Sequence, residues 1–185
     1  MRHKVSLRLF SNGDFDKGAS FVKIVLWFFV NALLVRVSWN PFIGIKLLLL
    51  RLFGAKIGTN VVIKNNVTIK YPWKLTMGND VWLGENCWID NLDYVTIGSD
   101  VCISQGALLL TGNHDYKKIS FDYRNAPIKI ENGAWIGANC TVCPGVVVGT
   151  HAILTVGSIA TKNIELWGVY QGNPATKIRE RCINE

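Results

Sequence analysis

Residues 130–158 read IENGAWIGANCTVCPGVVVGTHAILTVGS. An aliphatic residue returns at every sixth position, at Ile130, Ile136, Val142, Val148 and Leu154. Glycine often follows it. Three positions after it stands Gly133, Asn139, Gly145, His151 or Gly157, and four positions after it a small or β-branched residue: Ala134, Cys140, Val146, Ala152 or Ser158. The same unit opens at Ile57, Ile63, Met77, Leu83, Ile97 and Ile103, which makes eleven in all. A period of six predicts a parallel β-helix built from hexapeptides. Each unit is one short strand on one face of a triangular prism. The aliphatic points into the axis, the small residue fits the corner, and the Asn, Asp or Gly slot takes the positive φ of the turn. Successive coils hydrogen-bond about 4.8 Å apart. Only neighbouring coils touch, so both ends need caps.

Outward from the repeat, the 185-residue chain is 49% apolar and 18% charged, which excludes a disordered chain. Its 17 Gly and 5 Pro exclude a collagen-like one. The net charge of +7 is unevenly placed. Residues 1–56 hold nine basic residues against Asp14 and Asp16, and the remainder holds eleven of each sign. A globally basic nucleic-acid binder is therefore not expected. The chain divides into a helical, hydrophobic and basic segment at 1–56, a β-helix at 57–164 and a C-terminal cap at 165–185. The uncharged run Ile24–Val35 is twelve residues long, whereas a spanning helix needs about 20. Two readings of 1–56 stand open: helices packed on the protein or a neighbouring subunit, or a peripheral membrane contact with Trp27 and Phe28 at the lipid boundary. The five cysteines read as reduced thiols of a cytoplasmic protein, and Cys140-x-x-Cys143 as two repeat positions rather than a metal pair.

The period fails twice. After Ile89 the next unit starts two residues late, so Asp90, Asn91 and their neighbours to 94 bulge from a corner. After Leu109 the pattern vanishes until Ile130, so residues 112–126 leave the prism as a loop. Excursions from a rigid scaffold carry function more often than the scaffold does. Of the three histidines, His3 lies near the chain start, His151 fills a turn slot, and His114 sits in the excursion.

The chain resembles the hexapeptide-repeat acyltransferases, whose prism is a left-handed parallel β-helix. The resemblance rests on Ile103-Ser104-Gln105-Gly106 leading into Thr111-Gly112-Asn113-His114-Asp115, on Trp135-Ile136-Gly137, and on Gly172-Asn173-Pro174-Ala175. Leu50 to Gly58 and Tyr71-Pro72-Trp73-Lys74-Leu75 narrow it to the colanic-acid-biosynthesis acetyltransferase type, associated with bacterial exopolysaccharide synthesis. It implies transfer of an acetyl group from acetyl-CoA to a sugar hydroxyl, with His114 as general base and no metal. Imidazole suits that role because it changes charge near neutral pH. Its second nitrogen then needs an orienting acceptor, a carboxylate or a backbone carbonyl. Asp115 is carried as an orienting or acceptor-binding residue, and Asp90 and Asn91 as acceptor-binding residues. The resemblance further implies that Trp135 and Ala138 flank the thiol end of the cofactor, that Val156 and Thr161 line its arm, and that Lys162, Lys177 and Arg179 meet its phosphates. It implies a homotrimer with the groove between subunits, a free, nucleotide-linked or lipid-linked saccharide as acceptor, and a place in the cytoplasm, including the inner face of the membrane. A γ-class carbonic anhydrase on this prism needs three His ligands, and only His114 is suitably placed. An N-acetyltransferase of an amino sugar would use the same base and cofactor. A non-catalytic scaffold would not need Thr-Gly-Asn-His-Asp and Gly-Asn-Pro-Ala together.

Overall fold

The structure is a computed structural model that describes residues 4–13, 15–37 and 42–184; His3 lies outside them. The hexapeptides form five full coils. In chain order the strands are β1 (Lys56–Ile57), β2 (Val62–Ile63) and β3 (Thr68–Ile69), then β4 (Leu75–Met77), β5 (Trp82–Leu83) and β6 (Trp88–Asp90). The third coil holds β7 (Val95–Ile97), β8 (Cys102–Ile103) and β9 (Leu108–Leu110), and the fourth β10 (Ile128–Ile130), β11 (Trp135–Ile136) and β12 (Thr141–Val142). The fifth holds β13 (Val147–Val148), β14 (Ile153–Leu154) and β15 (Ile159–Ala160). Every third strand shares a sheet, and the pairing from coil to coil is parallel. This is a left-handed parallel β-helix with three faces.

Register follows the period. Ile57 lies under Met77, Ile97, Ile130 and Val148 in the first sheet. Ile63, Leu83, Ile103, Ile136 and Leu154 stack in the second, and Ile69, Ile89, Leu109, Val142 and Ala160 in the third. Apart from Ile57 in the end coil, all of these are at most 2% exposed. The turn slot holds as well: all eleven residues, from Asn60 to Gly157, have φ between +54° and +81°. The glycine after the aliphatic has a different cause. A Cβ on Gly137 would lie 2.7 Å from the Val156 nitrogen, and one on Gly84 2.5 Å from that of Gln105. Backbone approach between coils, not torsion, selects glycine there.

Helix α1 (Phe21–Val30) begins where the Ser20 hydroxyl accepts from the Lys23 amide, and it ends in a π turn, Asn31–Val35. Helix α2 (Ile43–Leu52) packs on β1, β2 and the π turn. Trp27, Val35 and Leu50 are buried against the first coil, and the Trp27 indole donates to the Ile69 carbonyl at 3.0 Å. The pair caps one end of the prism. No helix among the described residues is long and apolar enough to cross a membrane. At the other end β16 (Gly168–Gly172) adds parallel to β14, so the second sheet runs on past residue 164. Then β17 (Ala175–Glu180) turns back antiparallel and ends the stack. Cys140 is a buried corner residue whose thiol donates to the Thr155 carbonyl, and all the described cysteines are free thiols.

Gly137→Ala must push two coils apart. The expected loss is about 2 kcal/mol or more of unfolding free energy, read from the denaturant midpoint.

Candidate active site

One edge of the prism, where the third sheet turns into the first, departs from strict period in three successive coils. The lowest holds the turn Tyr71–Lys74, the next residues 91–94, and the third the excursion 112–126. They are stacked and pinned to one another. Asn91 is fully buried, accepts from the Tyr71 amide at 2.9 Å and donates to the Tyr71 carbonyl at 2.6 Å. Thr111 in turn donates to the Asp90 carbonyl and accepts from the Asp93 amide, each at 2.9 Å. Buried and turned onto the coil below, Asn91 presents no surface to an acceptor; it is a clamp between coils. The Asp90 side chain is paired with Lys70 at 2.9 Å, and the residue is 8% exposed.

The excursion is a small hairpin. The Asp115 amide donates to the Asp122 carbonyl and the Arg124 amide to the Asn113 carbonyl, both at 2.8 Å, and His114 faces Tyr123 across an antiparallel bridge. His114 Nδ1 lies 2.7 Å from the Phe121 carbonyl. A carbonyl only accepts, so Nδ1 carries the hydrogen, and in the neutral ring the lone pair is left on Nε2. Phe121 holds φ +53°, a sparsely populated region for a bulky side chain. The His114 ring stacks on the Phe121 ring at 4.4 Å between centroids and on Tyr123 at 5.0 Å. The Asp115 carboxylate is engaged elsewhere, accepting from the Lys117 amide at 3.1 Å, and it shapes the turn. The orienting acceptor of His114 is the Phe121 backbone.

Sequence reasoning missed the other side of the site. Residues 4–13 and 15–18 run as a strap across the hairpin. The Ser6 amide donates to the Ile119 carbonyl at 2.9 Å and the Ser11 amide to the Asp122 carboxylate at 3.3 Å. Hydrogen bonding from Ser120, with the Ser11 amide and Lys118 adding, holds that carboxylate below its usual range. Phe10 packs edge-on to Tyr123 at 5.2 Å and reaches His114 at 5.9 Å. Strap, bulge and hairpin enclose a cavity of about 400 Å³, walled by Phe15 and Asp16, by Leu92 and Asp93, and by Tyr123 to Asn125. Lys74 lines it too. Its ammonium donates to the carbonyls of Asp16 at 2.5 Å and Leu92 at 2.6 Å and lies 5.0 Å over the Phe15 ring. Burial pushes the Lys74 pKa down, against the pull of Asp93 and Asp16. Tyr123 is shared: it lines this cavity and supports the His114 ring.

The remaining predicted residues stand elsewhere. Trp135 projects from the second sheet, 44% exposed, and its indole donates to the Ser104 hydroxyl at 2.9 Å. Arg179 shares a surface cleft with it. Ala138 and Val156 occupy equivalent places in successive coils, at the corner between the second and third sheets. Thr161 and Lys162 lie on the His114 edge, two coils further on. The Lys177 ammonium is held by Glu165 at 2.8 Å and Glu180 at 2.7 Å. The hydrogen bonds it donates to Glu165 first and Glu180 second raise its pKa well above the ordinary lysine value. His151 fills its corner and packs on Trp167 at 4.3 Å. One chain thus holds the imidazole on one edge, while Trp135, Ala138, Val156 and Arg179 lie along another face.

A family profile described as the hexapeptide repeat of succinyl-transferase matches residues 127–162. The chain is 39% identical over 171 residues to WcaF of Escherichia coli K12, named a colanic acid biosynthesis acetyltransferase, across 91% of this chain and 93% of WcaF. It is 33% identical over 130 residues to the galactoside O-acetyltransferase of the same organism, across 68% of this chain and 64% of that one. The solved structure of the hexapeptide-repeat acetyltransferase VCA0836 of Vibrio cholerae O1 biovar eltor, complexed with acetyl coenzyme A, superposes with a TM-score of 0.78. It covers 95% of this chain and 98% of its own at 19% identity, a likeness of fold.

Asn91→Ala leaves the Tyr71 amide unpaired in a buried place, while the Tyr71 carbonyl keeps the Lys74 amide as its donor. It is expected to cost about 1–3 kcal/mol in chemical denaturation. Among molecules that remain folded, the acceptor KM should not change. A raised KM with an unaltered denaturation midpoint would make Asn91 a binding residue instead.

Proposed function

The chain belongs to the hexapeptide-repeat acetyltransferases of the colanic-acid-biosynthesis kind, and from that membership we propose that it moves an acetyl group from acetyl-CoA directly to a saccharide hydroxyl, with His114 as general base. The observation that carries this reading is the hydrogen bond from His114 Nδ1 to the Phe121 carbonyl. It leaves a basic nitrogen on a ring that stacking holds still. A hydroxyl is almost wholly protonated at neutral pH and attacks only as it loses its proton. Nε2 takes that proton, and the imidazolium that forms is stabilised by the carbonyl already bound to Nδ1. Acetyl-CoA supplies the thioester carbonyl that is attacked. The proton on Nε2 is then at hand for the departing thiolate, so no acyl-enzyme is needed.

The cavity beside Tyr123 suits a saccharide. It offers aromatic faces from Phe15 and Tyr123, with Asp16, Asp93, Arg124 and Asn125 at its walls. The name of the 33%-identical galactoside O-acetyltransferase favours an oxygen acceptor. Acetyl-CoA fits the surface of the second sheet, where Trp135 and Ala138 would meet the thiol end and Val156 the arm, while Thr161 and Lys162, which stand on the His114 edge, would reach it from the neighbouring chain. Arg179 and Lys162 are the cations offered to its phosphates, while Lys177 is already balanced by two carboxylates. The imidazole and the Trp135 wall lie on different parts of one prism, so a complete site needs two chains. A homotrimer, with the base from one subunit and the cofactor wall from the next, meets that need.

His114→Ala and His114→Gln should lower kcat for acetyl transfer to a sugar by about 10²–10⁴-fold, with thermal unfolding unchanged. Turnover equal to the parent protein would remove His114 as the base. A second test uses subunit mixing. His114→Ala and Ala138→Trp should each be strongly impaired alone, whereas unfolding and refolding the two together should restore a fraction of the parent activity well above either. No recovery in mixed oligomers would place the whole site within one chain.

A further inference from the structure

The helical cap has two apolar faces, and the fold uses one. Trp27, Val35 and Leu50 are buried against the first coil. On the outside stand Phe21, Val22, Leu26 and Phe29 of α1, continued by Ile45, Leu48 and Leu52 of α2, with exposures from 46% at Ile45 to 77% at Phe21. The two helices are linked through the π turn that ends α1, on which α2 packs. A helix apolar all round is one that buries both sides, and a contiguous exposed apolar patch marks a contact surface.

Charge selects the occupant. From Lys17 to Asn79 the chain contains no Asp or Glu and nine Lys or Arg; of these Lys46 and Lys74 are buried and Lys70 pairs with Asp90. Arg36 stands exposed at the end of the π turn, Arg51 at the end of α2, and Lys56 just beyond it. A second copy of this cap would set positive charge against positive charge, which opposes pairing. An anionic surface complements it, and a lipid bilayer also supplies a hydrocarbon boundary for Phe21, Leu26 and Phe29. We propose that the outer face of α1 and α2 docks the protein on an anionic phospholipid bilayer, lying in the interface without crossing it. This proposal stands apart from the acetyl-transfer reading and can fail without it.

The test is flotation of the full chain with vesicles of phosphatidylcholine alone and of phosphatidylcholine carrying phosphatidylglycerol. The bound fraction should be about ten-fold or more higher on the anionic vesicles and should fall as salt rises. The double variant Leu26→Glu/Phe29→Glu should lose binding while keeping its oligomeric mass, its thermal unfolding and its turnover of a soluble acceptor. Leu48→Gln, on the other helix, is the milder change to use should the glutamates unsettle the cap, and it too should weaken binding. Equal binding to both vesicle types, or none to either, overturns the proposal. So does a fall in oligomeric mass in these variants, which would mean that a second copy covers the face.

Discussion

Each corner of the prism must reverse the chain within a few residues, and the backbone does so by passing through the left-handed region once per hexapeptide. Asn, Asp and Gly tolerate that region best. Their recurrence at one slot fixes the length of every strand and the place of every turn. The spacing between coils adds the second restraint, seen where the Gly84 and Gly137 Cα atoms face the backbone of the coil above. Given these two, the side chains that reach the axis are determined, and the stack of Ile, Leu, Val and Met follows. Hydrophobic burial stabilises the column, but torsion and close approach decide its shape.

A scaffold that regular has little room for chemistry, since its backbone groups and axis-facing side chains are already committed to neighbours. The candidate site arises where three consecutive coils break period at the same corner. Because the insertions sit over one another, each can support the next: Asn91 holds Tyr71, and Thr111 holds Asp90 and Asp93. The hairpin that carries His114 thus rests on a foundation of backbone-directed hydrogen bonds. The strap then closes it from outside through Phe10, Ser6 and Ser11. The imidazole is steadied by groups that lie far apart in the sequence.

The fold was readable because it is local and repeated. The aliphatic at each unit's start, the left-handed slot and the small corner residue each recur eleven times, and one reading serves them all. His114 could be singled out for the same reason, as the histidine lying where the pattern stops. What could not be read depends on contacts between distant, aperiodic segments. Phe10 and Phe15 carry no spacing that points to Tyr123, and the bond from Ser11 to Asp122 spans 111 positions. The two carboxylates on Lys177 come from different strands and loops, so a lysine that reads as a phosphate ligand is already neutralised. Asn91, beside an apparent bulge, reads as a polar group facing a pocket; its carboxamide instead matches a peptide unit one coil below.

Between Ile130 and Ala160 the period is unbroken: Val148 lies one coil above Ile130, Leu154 above Ile136 and Ala160 above Val142. This part of the molecule behaves as a ruler. Duplicating one such coil would raise the Arg179 hairpin by a single strand spacing, about 4.8 Å, while the third coil, from which the His114 excursion leaves, stays in place. The axial distance between the His114 excursion and the Arg179 hairpin is therefore quantised by coil number.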